Sequence, residues 1–197
     1  MLIVIEGIDG SGKTFISMKL AKNLECQGYK VFLTKEPTEG PIGNLIKNLM
    51  NTEHKIDEFW GKIMALLFAA DRYYHQIEIL KKEKEGYIVI SDRYYHSTFA
   101  YQLSYPNIDI KWVMEMHKYI KKPDYVFVLD VPVDVALERI KQRKTTINVF
   151  ENRKFLERSR EIYMKLKDIL PEENIYYLDN TKDPDMVVEE IIKILGL

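Results

Sequence analysis

Residues 3–14 read Ile-Val-Ile-Glu-Gly-Ile-Asp-Gly-Ser-Gly-Lys-Thr, and this stretch decides the fold. A short apolar run, residues 2–5, suits a buried parallel strand, and a helical run follows at residues 15–24. Between them lies the Gly-x-x-x-x-Gly-Lys-Thr pattern of a phosphate-binding loop, residues 7–14. A strand before the loop and a helix after it form the context in which this pattern binds phosphate.

The glycines give this loop its chemistry, because Gly7, Gly10 and Gly12 reach backbone angles that are closed to other residues. The loop N–H groups can then turn inward around an anion, and the dipole of the following helix favours negative charge there. Lys13 brings a positive charge to the β- and γ-phosphates, and the Thr14 hydroxyl can ligate Mg²⁺. The alternative is a glycine-rich turn that binds nothing. We expect a nucleotide site at Gly7, Ile8, Asp9, Gly10, Ser11, Gly12, Lys13 and Thr14.

Composition narrows the class of protein. The 197 residues are 46% apolar and 30% charged, as in an ordinary globular domain. A net charge of -1 argues against nucleic acid or an anionic membrane as the main partner. The single cysteine, Cys26, excludes an internal disulfide, and the four histidines lack zinc spacing. There is no signal-peptide pattern and no run of about 18 apolar residues, so we expect a cytoplasmic protein.

Strands and helices alternate along the chain. The patterns predict strands at residues 2–5, 30–34, 87–91, 124–129 and 175–178. They predict helices at residues 15–24, 43–50, 57–84, 133–144, 153–170 and 185–195. Five apolar strands separated by helices indicate one α/β domain, residues 1–197, with a doubly wound five-stranded parallel sheet and helices on both faces. Ligands bind beyond the carboxyl ends of such strands, so residues 6–12, 35–36, 92–93 and 130 should meet at one edge.

Two predicted strands end in aspartate, Asp92 and Asp130. Either carboxylate could hold Mg²⁺ or its water. Asp92 is followed by Arg93, whose guanidinium can bind a phosphate through two N–H groups. Asp130 precedes Pro132, a pattern that favours a helix cap. We therefore expect the metal at Thr14 and Asp92, and Asp130 as a cap.

The long helix carries two kinds of surface. One stripe is apolar and contains Phe59, Ile63, Leu66, Leu67, Ala70, Tyr74 and Ile77. Phe68 and Arg72 lie four residues apart on roughly the opposite face, so they stack one turn above the other. A ring and a guanidinium together suit a flat base and its phosphate. The alternative is that Phe68 belongs to a second buried face, such as a dimer contact, with Arg72 in an ion pair. Spacing leaves both readings open.

A basic cluster ends the helix predicted at residues 133–144, and it consists of Arg139, Lys141, Arg143 and Lys144. A solvated helix face is the simpler explanation of such a run. The alternative is a lid, at about residues 141–152, whose cations close over transferring phosphates and exclude water.

Five segments in order resemble the thymidylate kinases, a family of P-loop nucleoside monophosphate kinases. They are residues 6–14, Thr34-Lys-Glu-Pro37, Leu67-Phe-Ala-Ala-Asp-Arg72, Asp92-Arg-Tyr-Tyr-His-Ser-Thr-Phe-Ala-Tyr-Gln102, and Phe150-Glu151 with Phe155-Leu-Glu-Arg158. The resemblance implies transfer of the ATP γ-phosphate to dTMP, giving dTDP, with Mg²⁺ as cofactor. It also implies a homodimer.

The resemblance also implies roles for single residues. Phe68 would stack on thymine, Arg72 and Arg93 would grip the dTMP phosphate, and Tyr101 would pack under the sugar. The catalytic residues would be Lys13, Asp9, Arg93 and, from the lid, Arg143. Contacts to the substrate would come from Asp9, Glu36, Phe68, Arg72, Arg93, Ser97, Thr98, Tyr101 and Gln102.

The chain departs from the family pattern at several positions. Lys35 stands where the family often has arginine, and residues 38–40 read Thr-Glu-Gly instead of Gly-Gly-Thr. Residues 148–149 read Asn-Val where the lid commonly has Asp-Arg. The loop residues 9–11 lack the arginine that some members carry there. The lid must then supply the cation, and Arg143 is the best candidate, with Arg139 and Lys141 behind it.

Two other functions are weighed against this one. A kinase of other pyrimidine monophosphates, such as dUMP, UMP or CMP, would use the same motifs. A slowly hydrolysing nucleotide switch would need a guanine-reading Asn-Lys-x-Asp, and residues 180–183 read Asn-Thr-Lys-Asp, in the wrong order.

Overall fold

The computed structural model describes residues 1–52, 57–143 and 152–197. Its strands are β1 (Leu2–Glu6), β2 (Val31–Lys35), β3 (Ile88–Asp92), β4 (Tyr125–Asp130) and β5 (Ile175–Asp179). Its helices are α1 (Lys13–Cys26), α2 (Pro41–Met50), α3 (Glu58–Lys84), α4 (Tyr95–Gln102), α5 (Ile110–His117), α6 (Val133–Arg143), α7 (Arg153–Met164), α8 (Leu166–Ile169) and α9 (Pro184–Leu195). None of the described helices has the length and hydropathy needed to cross a membrane.

The five strands form one parallel sheet in the order β2-β3-β1-β4-β5, which confirms the predicted architecture. The apolar run of β1 is continuous because both of its faces are covered. Leu2 and Val4 belong to one core, while Ile3 and Ile5 belong to the other, which includes residues of α1 and α9. Ile5 pairs with Asp92 of β3, so the phosphate loop and the β3 tip leave the sheet side by side.

Two helices between β3 and β4, α4 and α5, were not predicted. Each has eight residues, and seven of the eight in α4 are buried. Because α4 is buried on nearly all sides, it lacks the one-sided apolar periodicity on which the prediction of a helix depends.

The helix predicted at residues 153–170 is two helices, so that prediction is wrong in this detail. The helix is interrupted at Lys165, between α7 and α8. The Tyr177 hydroxyl of β5 lies at the break, 3.2 Å from the carbonyl oxygen of Tyr163 and 3.1 Å from that of Met164. A side chain from a neighbouring strand therefore satisfies carbonyl groups that the interrupted helix leaves free.

The apolar stripe of α3 faces solvent rather than the sheet. Phe59 is 71% exposed and Ile77 is 68% exposed. The buried face of α3 is instead made of Gly61, Met64, Ala65, Ala69, Asp71, Arg72, His75 and Ile79. This inner face carries three polar residues. Hydropathy alone therefore predicts, wrongly, that the outer face is the buried one.

Candidate active site

The phosphate loop takes the conformation that its glycines allow. Gly7, Gly10 and Gly12 have φ values of 138°, 82° and 93°, in the region that disfavours side chains. A Cβ at Gly10 would also lie 2.3 Å from the Ala136 carbonyl oxygen of α6. The loop thus packs directly on α6, and no other residue fits at position 10.

Lys13 opens α1 with its ammonium folded back over the loop. Its Nζ donates to the Ile8 carbonyl oxygen at 2.9 Å. Burial, followed by repulsion from the nearby Arg93, lowers the pKa of Lys13 to about 8. A polyphosphate bound in the loop would supply the negative charge that this buried cation lacks.

The tip of β3 provides oxygen ligands beside the loop. The Thr14 hydroxyl donates to Oδ2 of Asp92 at 2.5 Å. Oδ1 of Asp92 is buried and has no hydrogen-bond partner among the described residues. A hydroxyl and a carboxylate with an uncommitted oxygen suit Mg²⁺, which prefers oxygen ligands. Within the described ranges no cluster of three or more His, Cys, Asp or Glu side chains could hold a metal by itself, so phosphate oxygens and water would have to complete the ligands here.

Asp130 at the tip of β4 has a different environment, and the predicted capping role is wrong. Its two carboxylate oxygens accept hydrogen bonds from Nε and an Nη of Arg160, at 2.6 and 2.9 Å. An arginine that binds both oxygens leaves little room for a metal or a helix N–H. Asp92 is therefore the strand-end carboxylate that fits a metal.

Arg93 turns toward the loop because its backbone is left-handed, with a φ of 76°. This is an uncommon conformation for a residue with a side chain and is typical of functional sites. Its guanidinium donates to the Asp9 carboxylate and, at 3.0 Å, to the Ser97 hydroxyl. It also lies over the Tyr101 ring, 5.2 Å from the ring centre. Three neighbours thus fix the orientation of one half-buried cation.

Two cavities meet at this cation. The phosphate cleft, of about 390 Å³, is lined by Asp9, Gly10, Gly12, Lys13, Thr14, Phe15, Met18, Lys35, Glu36, Asp92 and Arg93. The acceptor pocket, of about 100 Å³, is lined by Asp9, Pro37, Met50, Phe68, Arg93, Ser97, Thr98, Tyr101 and Gln102. Asp9 and Arg93 belong to both. The loop, the β3 tip and the Phe68 surface of α3 therefore line two adjoining cavities.

The acceptor pocket has one apolar wall and one polar wall. Phe68 is partly buried and lines the pocket. Thr98 and Gln102, both buried, line the pocket from α4. Nε2 of Gln102 has no hydrogen-bond partner in the described part of the chain. A buried amide without a partner costs free energy unless a ligand satisfies it, so this wall is built to bind a polar group.

Arg72 does not lie where the resemblance puts it. It is 1% exposed, and it lies behind Thr98 instead of in the phosphate cleft. Its Nε donates to Glu36 at 2.7 Å, and Glu36 also accepts from His75 at 3.1 Å. The expected grip of Arg72 on the phosphate is therefore corrected: Arg93 is the arginine at the junction, and Arg72 supports the pocket wall. Glu36 lines the cleft, but both of its carboxylate oxygens are engaged by protein groups.

Glu6 is a site residue to which sequence analysis assigned no role. Its fully buried carboxylate accepts from the Tyr94 N–H at 2.7 Å, the Ser97 hydroxyl at 2.7 Å and the Tyr163 hydroxyl at 2.8 Å. These bonds fix the start of α4, and Ser97 in turn holds Arg93. The sequence signal that could have identified Glu6 is an acidic residue at the end of an otherwise apolar strand, directly before the loop.

The basic cluster is partly described. Arg139 donates to the carbonyl oxygens of Asn180 at 3.0 Å and Ser11 at 3.5 Å, so it lies against the phosphate loop. Lys141 is exposed. The Arg143 side chain and residues 144–151, most of the expected lid, lie outside the described residues. The catalytic role of Arg143 therefore stays a prediction.

Comparison with known proteins agrees with this geometry. The family model described as "Thymidylate kinase" matches residues 5–191. A "Probable thymidylate kinase" of Thermococcus kodakarensis is 39% identical, over 99% of this chain and 97% of its own. Another, of Methanosphaera stadtmanae, is 39% identical over 97% of this chain and 95% of its own. "Probable thymidylate kinase 1" of Saccharolobus solfataricus is 40% identical, over 98% of this chain and 96% of its own.

Proposed function

The chain belongs to the thymidylate kinase family, and we propose that it transfers the γ-phosphate of ATP to dTMP in the cytoplasm, giving dTDP and ADP. The observation that carries this proposal is the wall that the phosphate cleft and the acceptor pocket share, Asp9 and Arg93. A cation between two anion-sized spaces reduces the repulsion between two phosphates that must approach end to end.

Each part of the site has a distinct task. The loop N–H groups and Lys13 bind the β- and γ-phosphates of ATP. Arg93 binds the dTMP phosphate at the junction and stabilises the charge that develops during transfer. Asp9 and Ser97 hold that guanidinium in one orientation, so that the acceptor oxygen approaches in line. The acceptor is a phosphate oxygen, largely deprotonated near neutral pH, so the reaction requires no strong general base.

The acceptor pocket accounts for the choice of a pyrimidine. The Phe68 ring presents a flat apolar face on which a base can stack. The Gln102 amide, which also lines the pocket, can offer an N–H or a carbonyl oxygen to the edge of the base. Tyr101 lines the pocket too, and the Arg93 guanidinium lies over its ring.

Mg²⁺ is the cofactor that fits this site. Thr14 and Asp92 would hold it, directly or through water, with phosphate oxygens of ATP as further ligands. When bound, Mg²⁺ neutralises phosphate charge and orients the γ-phosphoryl group.

The exposed stripe of α3 supports a homodimer. Phe59, Ile63, Leu66, Tyr74 and Ile77 expose large apolar surfaces on one side of a single helix. A contiguous apolar surface of this kind marks an interaction site. A second copy would pack its own α3 against the stripe about a two-fold axis, which is the usual symmetry of dimers.

An ADP-release assay with ATP and Mg²⁺ tests the function. The acceptors are dTMP, dUMP, UMP, CMP and AMP, each in turn, with an assay lacking any acceptor as the control. We expect rapid turnover with dTMP and little with AMP. Release of ADP at one rate, whatever the acceptor, would contradict the proposal.

A further inference from the structure

His117 is a buried side chain of α5 that no motif marks, and it binds Arg72. Its Nδ1 lies 2.7 Å from the Val113 carbonyl oxygen, and its Nε2 lies 2.8 Å from an Nη of Arg72. A guanidinium can only donate, so Nε2 must accept and cannot carry a proton. The ring is therefore neutral, with its proton on Nδ1 and donated to Val113. Burial and the charge of Arg72 lower the pKa of His117 to about 3, which agrees with this assignment.

The other contacts of Arg72 fix it in the pocket wall. Besides His117, it donates to Glu36 at 2.7 Å, to the Tyr94 carbonyl oxygen at 3.1 Å and to the Thr98 hydroxyl oxygen at 3.1 Å. Glu36 balances the charge of the guanidinium. His117 provides the remaining acceptor, on the side of the guanidinium that reaches Thr98, because the same terminal nitrogen binds both residues.

This arrangement determines the direction of the hydrogen bond at Thr98. The Thr98 oxygen accepts from Arg72, and its own hydrogen has no acceptor within residues 1–52, 57–143 and 152–197. Thr98 lines the acceptor pocket beside Gln102, whose Nε2 also has no partner there. The wall can therefore offer the pocket the Thr98 hydroxyl as a donor, with the positive charge of Arg72 directly behind it.

We propose that His117 is a positioning residue which, through Arg72 and Thr98, makes the acceptor pocket selective for a base with a carbonyl oxygen at this edge. Thymine and uracil carry a carbonyl oxygen where cytosine carries an amino group. The carbonyl oxygen of the first kind of base can accept the Thr98 hydrogen. The amino group of the second kind leaves that buried hydrogen without an acceptor, which costs binding free energy. The inference rests on the proposed function, since it concerns the base of the accepted monophosphate.

The first test uses His117→Leu, His117→Gln and the neighbouring control Met116→Leu, with dTMP, dUMP and dCMP as acceptors. His117→Leu removes the acceptor for Arg72, so the KM for dTMP and dUMP should rise together, by about tenfold. The KM for ATP should not change, and the preference for dTMP over dCMP should shrink. Glutamine can place a carbonyl oxygen near the position of Nε2, so His117→Gln should recover most of the loss.

The second test reaches the same hydrogen bond without touching the core around His117. Thr98→Val keeps the shape of the side chain and removes the hydroxyl, and Thr98→Ser keeps the hydroxyl. We expect Thr98→Val to lower the dTMP-to-dCMP ratio of kcat/KM by about tenfold or more, and Thr98→Ser to preserve the ratio.

The outcomes separate this inference from the function itself. A wild-type enzyme that does not phosphorylate dTMP would overturn the function. An active wild type whose dTMP-to-dCMP ratio is the same in His117→Leu and Thr98→Val would overturn the inference alone. So would a His117→Leu enzyme that loses activity equally on all three acceptors and is not rescued by glutamine, because His117 would then serve only the fold.

Discussion

Thr14 and Asp92 share one hydrogen bond, and it leaves the second oxygen of the Asp92 carboxylate buried and without a partner in the described part of the chain. Asp92→Asn keeps an acceptor for Thr14 but removes the negative charge that a divalent cation requires. We expect a lower kcat and a requirement for about tenfold more Mg²⁺, measured by titrating Mg²⁺ at saturating ATP and dTMP. Asp130→Asn, at the other strand tip, is the control. Equal effects of the two variants would contradict the placement of the metal.

The burial of Lys13 leads to a prediction about how the stability of the protein depends on pH. The pKa of Lys13 in the folded chain, about 8, lies below its ordinary value of 10.5, so between these values the unfolded chain binds more protons. The contribution of Lys13 to stability therefore rises with pH from about 8 to 10.5 and is most unfavourable below pH 8. Lys13→Met should stabilise the nucleotide-free protein at pH 7, by up to about 3 kcal/mol, with the difference vanishing above pH 10.5.

Urea unfolding of both proteins across this pH range measures the difference directly. Lys13→Arg keeps a charge at every pH and serves as the control. A difference between Lys13→Met and wild type that does not vary with pH would show that the Lys13 ammonium is not destabilised by burial.

Arg93 should be needed for turnover more than for folding. Its side chain is 17% exposed, and removing it leaves an Asp9 carboxylate that water can still reach. We expect Arg93→Ala to lower kcat by about 10²- to 10³-fold with little change in Tm. Arg93→Lys keeps the charge but cannot bind Asp9 and Ser97 together, so it should recover little. Arg153→Ala, which breaks an exposed ion pair with Asp134, is the control. An Arg93→Ala enzyme close to wild type would refute the proposed role.

Phe68 should act on the acceptor alone. Phe68→Ala removes the face on which the base stacks, so the KM for dTMP should rise by about tenfold, as expected for the loss of about 1.5 kcal/mol. The KM for ATP should stay constant, because Phe68 does not line the phosphate cleft. Tyr119→Ala, an exposed aromatic outside the site, is the control. An unchanged KM for dTMP would count against stacking.

The stripe on α3 predicts the oligomeric state. Light scattering should give wild type a mass of twice the 23.3 kDa chain. Phe59→Glu places a charge at one end of the apolar stripe and should shift the protein to monomer. Tyr119→Glu, equally exposed but outside the stripe, should leave the mass unchanged. A wild type that is already monomeric at micromolar concentration would refute the dimer.

Sequence analysis predicted what depends on local pattern. The apolar runs predicted the sheet, and the Gly-Lys-Thr pattern predicted the loop. The position of Asp92 at the end of β3 indicated it as a metal ligand. Arg93 was expected from its position directly after that aspartate, Phe68 was assigned through a family motif, and both line the acceptor pocket. Each of these residues carries its signal within a few positions of the chain.

The depth at which a side chain is buried, and its contacts with distant parts of the chain, were not predictable in this way. Helical spacing put Arg72 one turn from Phe68 but could not show that it passes behind Thr98, since this depends on where α4 packs. His117 has no periodic signal, and its role comes from a contact with a residue 45 positions away. Asp130 likewise forms its ion pair with a residue distant in sequence, Arg160. A pattern that is typical of a helix cap therefore did not show this role.

The phosphate loop is held in place by the protein itself. The Tyr101 hydroxyl lies 2.9 Å from the Asp9 N–H, Asn180 donates to the Ser11 carbonyl oxygen at 2.5 Å, and Lys13 donates to Ile8. The conformational entropy of this segment is therefore lost once, when the chain folds, and not again with each catalytic cycle. Nucleotide should accordingly associate without a slow ordering step at the loop. Successive turnovers should begin from the same loop conformation.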